Sequence, residues 1–287
     1  MMHRLGLLIL GWAMLLVGLG ACVSVQVTPY DLGVALQDRG ELAAAIEHYK
    51  EELAVHPHHL RARFNLAVIY HDQQKYSAAK EQYALLLAFY PKHARSLVNL
   101  ADIAEAEGDL VQAQRLLLRA VAAEPDRAYP YSFLGRYLQQ QGQLDAAQTA
   151  YERALAIEDD ALTRYRLGTL WLQRGQVKEA RQQFTRAVEL SPNDVKSLYQ
   201  LALLALQSGD SAQAIAYLQR LTVLTPRDPD IFVRLGKLYL EQGHYTTAAL
   251  YLWEARDIQP DAPEVERLLL QVYEAILQQQ RQQVTTP

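Results

Sequence analysis

The chain has 287 residues, with 28 lysines and arginines against 32 aspartates and glutamates; its net charge is −4 at pH 7, and half of it is hydrophobic. That balance supplies enough apolar surface for an ordered core and offers no general attraction to nucleic acid. A single cysteine, Cys22, excludes an intramolecular disulfide, a cysteine-only metal site and a CxxC redox pair.

In chain order, the first element is an apolar leader. Met1-Met2-His3-Arg4 precedes Leu5 to Ala21, seventeen residues without a charge, which is the layout of a secretory signal. The order Leu19-Gly20-Ala21-Cys22 closely resembles the lipobox of bacterial lipoproteins. That resemblance implies a diacylglyceryl group on the sulfur of Cys22, cleavage before it and acylation of the new amino terminus. Residues 1–21 are then a signal peptide, and 22–25 a lipidated terminus and short linker. With Val23 rather than aspartate after the cysteine, the sorting rule of enteric lipoproteins implies an outer-membrane protein facing the periplasm; an inner-membrane anchor is the alternative. Seventeen residues stand at the short edge of what crosses a bilayer, so an uncleaved anchor is one rival reading, and an ordinary cleaved signal with an incidental cysteine is the other. Only the lipobox explains a cysteine in that place. Two or three acyl chains hold a protein firmly where one holds it marginally, each buried methylene contributing about 0.8 kcal/mol.

Repeats come next. Pro57, Pro91 and Pro125 are 34 residues apart, as are Pro192, Pro226 and Pro260, and Asp159 stands about where a proline is missing between the two series. Apolar residues recur at helical spacing without sustained alternation, so the chain is expected to be all-helical. Seven units fit residues 26–262, starting near 26, 60, 94, 128, 161, 195 and 229. In each a leucine precedes a small residue: Gly33, Ala67, Ala101, Gly135, Gly168, Ala202 and Gly236. A small residue there lets two helices cross closely. A second small site, for example Ala180, and a large residue such as Tyr49, Tyr151 or Phe184 follow in each unit. Glycines mark the turns in all units but the second, which has Gln74.

In length and in nearly every signature position these units resemble the tetratricopeptide repeat. The resemblance implies an all-α solenoid, a right-handed superhelix of antiparallel helix pairs. A final helix from Pro263 to about Gln280, with Val265, Leu269, Val272, Tyr273 and Ile276 on one face, is expected to cap the last repeat. The glutamine-rich end of the stretch 263–287 is expected to fray.

No motif of an enzyme occurs: there is no HExxH, no GxSxG and no glycine-rich nucleotide loop. His56, His58 and His59 read as solvated loop histidines rather than a metal site, and Glu158-Asp159-Asp160 as a polar loop between repeats. The chain is therefore expected to be non-enzymatic, with no metal, no cofactor beyond lipid on Cys22 and no small-molecule substrate. In the repeat family the first helix of each pair lines the concave groove, and its second, fifth, sixth and ninth places commonly touch ligands. Those places imply an aromatic series, Tyr30, Phe64, Tyr165 and Tyr199, and a polar series, Arg61 with Asn65, Arg95 with Asn99, then Arg136. Arg61 and Asn65 are one helical turn apart and share a face, and the pair recurs 34 residues later. The carboxylate clamp of chaperone-binding members wants lysine and asparagine in the unit before such a pair; Tyr30 and Val34 stand there instead. The expected function is a lipid-anchored scaffold whose groove holds envelope proteins during assembly of a larger machine. The alternative is carbohydrate binding, to peptidoglycan or an exported polysaccharide, by the groove tyrosines.

Overall fold

The computed structural model describes residues 27–285. Cys22 and the leader lie outside them. Among the described residues there are helices and turns but no strand, and no helix is long and apolar enough to cross a membrane.

The helices divide into two units. The first, within residues 1–91, contains α1 (Pro29–Asp38), α2 (Leu42–Val55), α3 (Leu60–Asp72) and α4 (Tyr76–Phe89). The second, 92–287, contains eleven described helices. These are α5 (Ala94–Ala106), α6 (Leu110–Ala123), α7 (Ala128–Gln140), α8 (Leu144–Ile157), α9 (Ala161–Gln173) and α10 (Val177–Leu190). They continue with α11 (Val195–Gln207), α12 (Ser211–Leu224), α13 (Pro229–Glu241), α14 (Tyr245–Ile258) and α15 (Pro263–Thr285). Within each unit a helix packs chiefly on the one before and the one after it, most extensively inside each pair. This is the nearest-neighbour stacking of a repeat protein.

Eight of the described helices start on a side-chain cap. Thr28 and Asp31 form a reciprocal capping box at α1. Asp109, Asp160, Asp194, Asp210 and Asp228 cap α6, α9, α11, α12 and α13 with side-chain oxygens. His59 and His93 do the same for α3 and α5 through Nδ1. The chain turns inside each pair through a left-handed residue, which glycine supplies at φ +77° for Gly40. Gln74 holds that conformation at φ 57°, the one non-glycine with positive φ among the described residues. A side chain there is strained by about 1–2 kcal/mol.

The core explains the small residues. An ideal Cβ built on Gly33, Gly135, Gly168 or Gly236 would lie 2.6 or 2.7 Å from Tyr49, Tyr151, Phe184 or Leu252. Ala67, Ala101 and Ala202 are likewise wholly buried. α15 buries Val265, Leu268, Leu269 and Val272 against Phe232, Val233, Ala248, Ala249 and Leu252. Two details differ from the expectation. Leu268 is 6% exposed while Tyr273 is 40% exposed, its hydroxyl accepting from Trp253 Nε1 at 2.9 Å. The helix also continues to Thr285, because glutamine is a good helix former and nothing in 278–285 breaks it.

Candidate functional site

The groove residues picked out by register fall in both units. In the first unit, Tyr30 is on α1 and Arg61, Phe64 and Asn65 are on α3. Tyr30 is half-buried, 4.7 Å from the His59 ring and 6.1 Å from Tyr49 between centroids. Asn65 turns inward: its Nδ2 donates to the Tyr49 hydroxyl at 3.1 Å, and that hydroxyl donates to Gln37 Oε1 at 2.7 Å. Phe64 packs 6.1 Å from Tyr83. Arg61 is exposed and makes no hydrogen bond, ion pair or ring contact among the described residues. The Arg-x-x-x-Asn pair therefore splits, arginine to solvent and asparagine to the interior.

Two of the nearby histidines are structural. His59 caps α3, and His58 packs edge-on against Phe89 at 4.0 Å. Among the described residues no group of three or more His, Cys, Asp or Glu is placed to hold a metal.

In the second unit, Arg95 and Asn99 are on α5, Arg136 on α7, Tyr165 on α9 and Tyr199 on α11. Arg95 is exposed, its Cζ 5.8 Å from the Tyr129 ring. Burial, with Glu124 accepting from the hydroxyl at 2.9 Å, pushes the Tyr129 phenol up. Arg136 is tied down: Nη2 donates to Asp102 Oδ1 and to Glu105 Oε1 at 3.0 Å each, and Nη1 to Glu105 Oε2 at 3.1 Å. Burial raises the Glu105 carboxyl, and Arg136 offsets part of that. Tyr199 is also spent, donating to Asp230 Oδ2 at 2.8 Å with Arg234 beside it. Burial alone would raise Asp230, but hydrogen bonds from Arg234 and Tyr199 outweigh it and hold the carboxyl below its usual value.

Arg136 and Tyr165 share a depression with Arg166 and Lys196, two residues that the reading by register passed over. They occupy the sixth place of the fifth repeat and the second place of the sixth, the same places as Asn65 and Arg61 in theirs. Register alone could have found them. Glu158-Asp159-Asp160, read as a plain loop, has work to do: Asp159 accepts from Arg164 Nε at 2.6 Å and from Arg186 Nη2 at 2.9 Å, which holds its carboxyl below the usual range.

A tetratricopeptide repeat model matches residues 30–93, 72–132, 134–195 and 199–263. The chain belongs to the tetratricopeptide repeat family. No curated protein sequence matches it. Among solved structures, these tetratricopeptide repeats are similar to YrrB, described as having an unusual peptide-binding site. There the identity is 24% and the TM-score 0.50, over 64% of this chain and 96% of that one. They are similar too to PilW, described as a widely conserved type IV pilus biogenesis factor, at 19% identity and TM-score 0.60, over 73% of this chain and 98% of that one. The pilF protein of Pseudomonas aeruginosa matches at 18% identity and TM-score 0.61, over 72% and 95%. At these identities the likeness is one of fold.

Proposed function

We propose that the protein is a lipid-anchored, non-enzymatic scaffold of the bacterial cell envelope, whose first helices hold segments of partner proteins. Membership of the tetratricopeptide repeat family supports the protein-binding part of this reading. The observation that carries it is the state of Arg61 and Arg95. Each stands exposed at the second place of its repeat's first helix, and neither has a carboxylate partner among the described residues. On a chain whose net charge is negative, cations repeated in register and left without counter-ions offer charge-assisted hydrogen bonds to an acidic or amide-rich partner. The tyrosines speak against the glycan alternative, since stacking on a sugar needs a free ring face; Tyr30 is packed on His59, and the Arg234 guanidinium stands over the Tyr199 ring at 5.8 Å.

The lipobox-like Leu19-Gly20-Ala21-Cys22 supports a tether through Cys22, on the periplasmic face of the outer membrane or, as the alternative, on the inner membrane. Such a protein would serve secretin or pilus assembly, polysaccharide export, or the gathering of proteases and peptidoglycan hydrolases. Two variants test the reading. Cys22→Ala should lose labelling by a fatty-acid probe and leave the membrane pellet; continued labelling contradicts the tether. An Arg61→Glu, Arg95→Glu double variant of unchanged helicity should recover envelope partners at least about tenfold less well. Equal recovery contradicts the binding role of these arginines.

A further inference from the structure

α15 carries two apolar stripes, and the cap uses only one of them. Val265, Leu269 and Val272 lie against α13 and α14. Leu270, Tyr273 and Leu277 follow one another at spacings of three and four residues and are 62%, 40% and 54% exposed. At about 3.6 residues per turn these three share with Glu266 and Arg281 a strip about 80° wide along one flank of the helix.

The apolar surface continues onto α14. Trp253, whose Nε1 donates to the Tyr273 hydroxyl at 2.9 Å, is 39% exposed. Leu250 stands three residues before Trp253 on the same side of α14 and is also exposed. Large apolar side chains grouped in water on two adjacent helices mark an interface. Beyond Ile276, moreover, every described side chain of α15 through Gln282 is exposed, so the last turns of the helix run on past the packing of the cap.

The charges at the two ends of the stripe say what covers it. Glu266 stands four residues before Leu270, and Arg281 four residues after Leu277. Glu266 makes no hydrogen bond or ion pair among the described residues. A second copy of α15 laid parallel would set glutamate on glutamate and arginine on arginine. Laid antiparallel and centred between Tyr273 and Glu274, it sets each Glu266 opposite the other copy's Arg281, and each Leu270 opposite the other copy's Leu277. The stripe is therefore its own complement under a two-fold axis, the condition for an isologous contact.

We propose that the protein pairs with a second copy of itself through this flank of α15, antiparallel about a two-fold axis beside Tyr273, with Trp253 and Leu250 of α14 at the edge of the contact. The exposed last turns of α15 then lie along Glu266 to Leu270 of the other copy. The contact is short, sixteen residues from Glu266 to Arg281 or about 24 Å of helix, which suits a small interface and a reversible dimer. It goes beyond the scaffold reading and does not rest on it, since none of its residues belongs to a first helix.

Sedimentation velocity of the full-length protein in detergent, at about 1–100 μM, should show a reversible equilibrium between monomer and dimer. Leu277→Lys should weaken pairing about tenfold or more, with unchanged melting by circular dichroism because Leu277 is exposed and outside the cap. Glu266→Lys and Arg281→Glu each set like charges opposite one another at both ends of the stripe, and each alone should weaken pairing about tenfold. An equimolar mixture of these two variants brings opposite charges together again and should recover the dimer. That mixture changes no apolar residue, so it still decides if Leu277→Lys disturbs folding. The dimer should persist in the Arg61→Glu, Arg95→Glu variant. The proposal is overturned if the protein stays monomeric throughout, or if the Leu277 and single charge variants dimerise as the wild type does, as chains that merely share a micelle would. It is overturned too if the mixture fails to recover the dimer, or if the dimer is lost with Arg61 and Arg95, which would place the contact on the first helices.

Discussion

Gly168 and Phe184 share one space: a Cβ on Gly168 would come within 2.6 Å of Phe184 Cε1, closer than side chains approach one another. Phe184 is completely buried, as is Ala180 one turn before it on α10. Gly168→Leu or Ala180→Leu should therefore force α9 and α10 apart, costing about 1–3 kcal/mol or more. Each repeat leans on its neighbours, so the thermal transition of the second unit should broaden or split. Circular dichroism melting checks this, and an unchanged curve would contradict the pairing.

Gln74 offers the opposite kind of change. It holds φ 57° at a turn where six other turns have glycine. Gln74→Gly should stabilise the first unit by about 0.5–1 kcal/mol, less than the full strain, because glycine also loses more freedom on folding. Denaturant midpoints of the two proteins measure it. No gain would mean that the Gln74 side chain offsets its own strain.

His93 makes α5 sensitive to acid. Its Nδ1 accepts from the Ser96 amide at 3.3 Å, which requires that nitrogen to be unprotonated. Burial lowers the His93 pKa in the folded protein; Glu124 opposes this and Arg95 adds to it. The unfolded chain thus takes up the proton first as pH falls from about 6.5. The stability due to His93 is intact above that pH and drains away as pH drops toward the lower folded value. A cap is worth about 1 kcal/mol. His93→Asn keeps a capping oxygen that does not titrate, so its stability should fall less between about pH 7 and 5 than that of the wild type. Chemical denaturation at both pH values tests this.

α15 closes the stack. Truncation after Asp261 would bare Phe232, Val233, Ala249 and Leu252, which now pack on Val265, Leu268, Leu269 and Val272. The product should aggregate, or lose α13 and α14 from its cooperative transition. Sedimentation and melting decide. A stable monomer would instead make α15 an arm rather than a cap.

The repeat was legible because it is written in size and turn chemistry, both local. Gly168 sixteen residues before Phe184, and glycine at every turn except Gln74, can be read from one dimension. The site was only half legible. Whether a cation is free depends on carboxylates far along the chain: Arg136 looks available in sequence, yet Asp102, 34 residues before it, and Glu105 neutralise it. Asn65 likewise looks outward by register and is drawn in by Tyr49. Arg166 and Lys196 occupy equivalent places and keep their charge. Spacing shows which residues share a face but not which of them are already bound.

If partners lie along the first helices of the repeats, photo-crosslinking in living cells will find them there. A photo-reactive residue in place of Arg61, Arg95 or Lys196 should give light-dependent adducts with an envelope protein. The same residue at Val111 on α6 or Val223 on α12, side chains 81% and 80% exposed on second helices, should give none. Adducts from Val111 and Val223, with none from the first helices, would place the partners on the second helices instead.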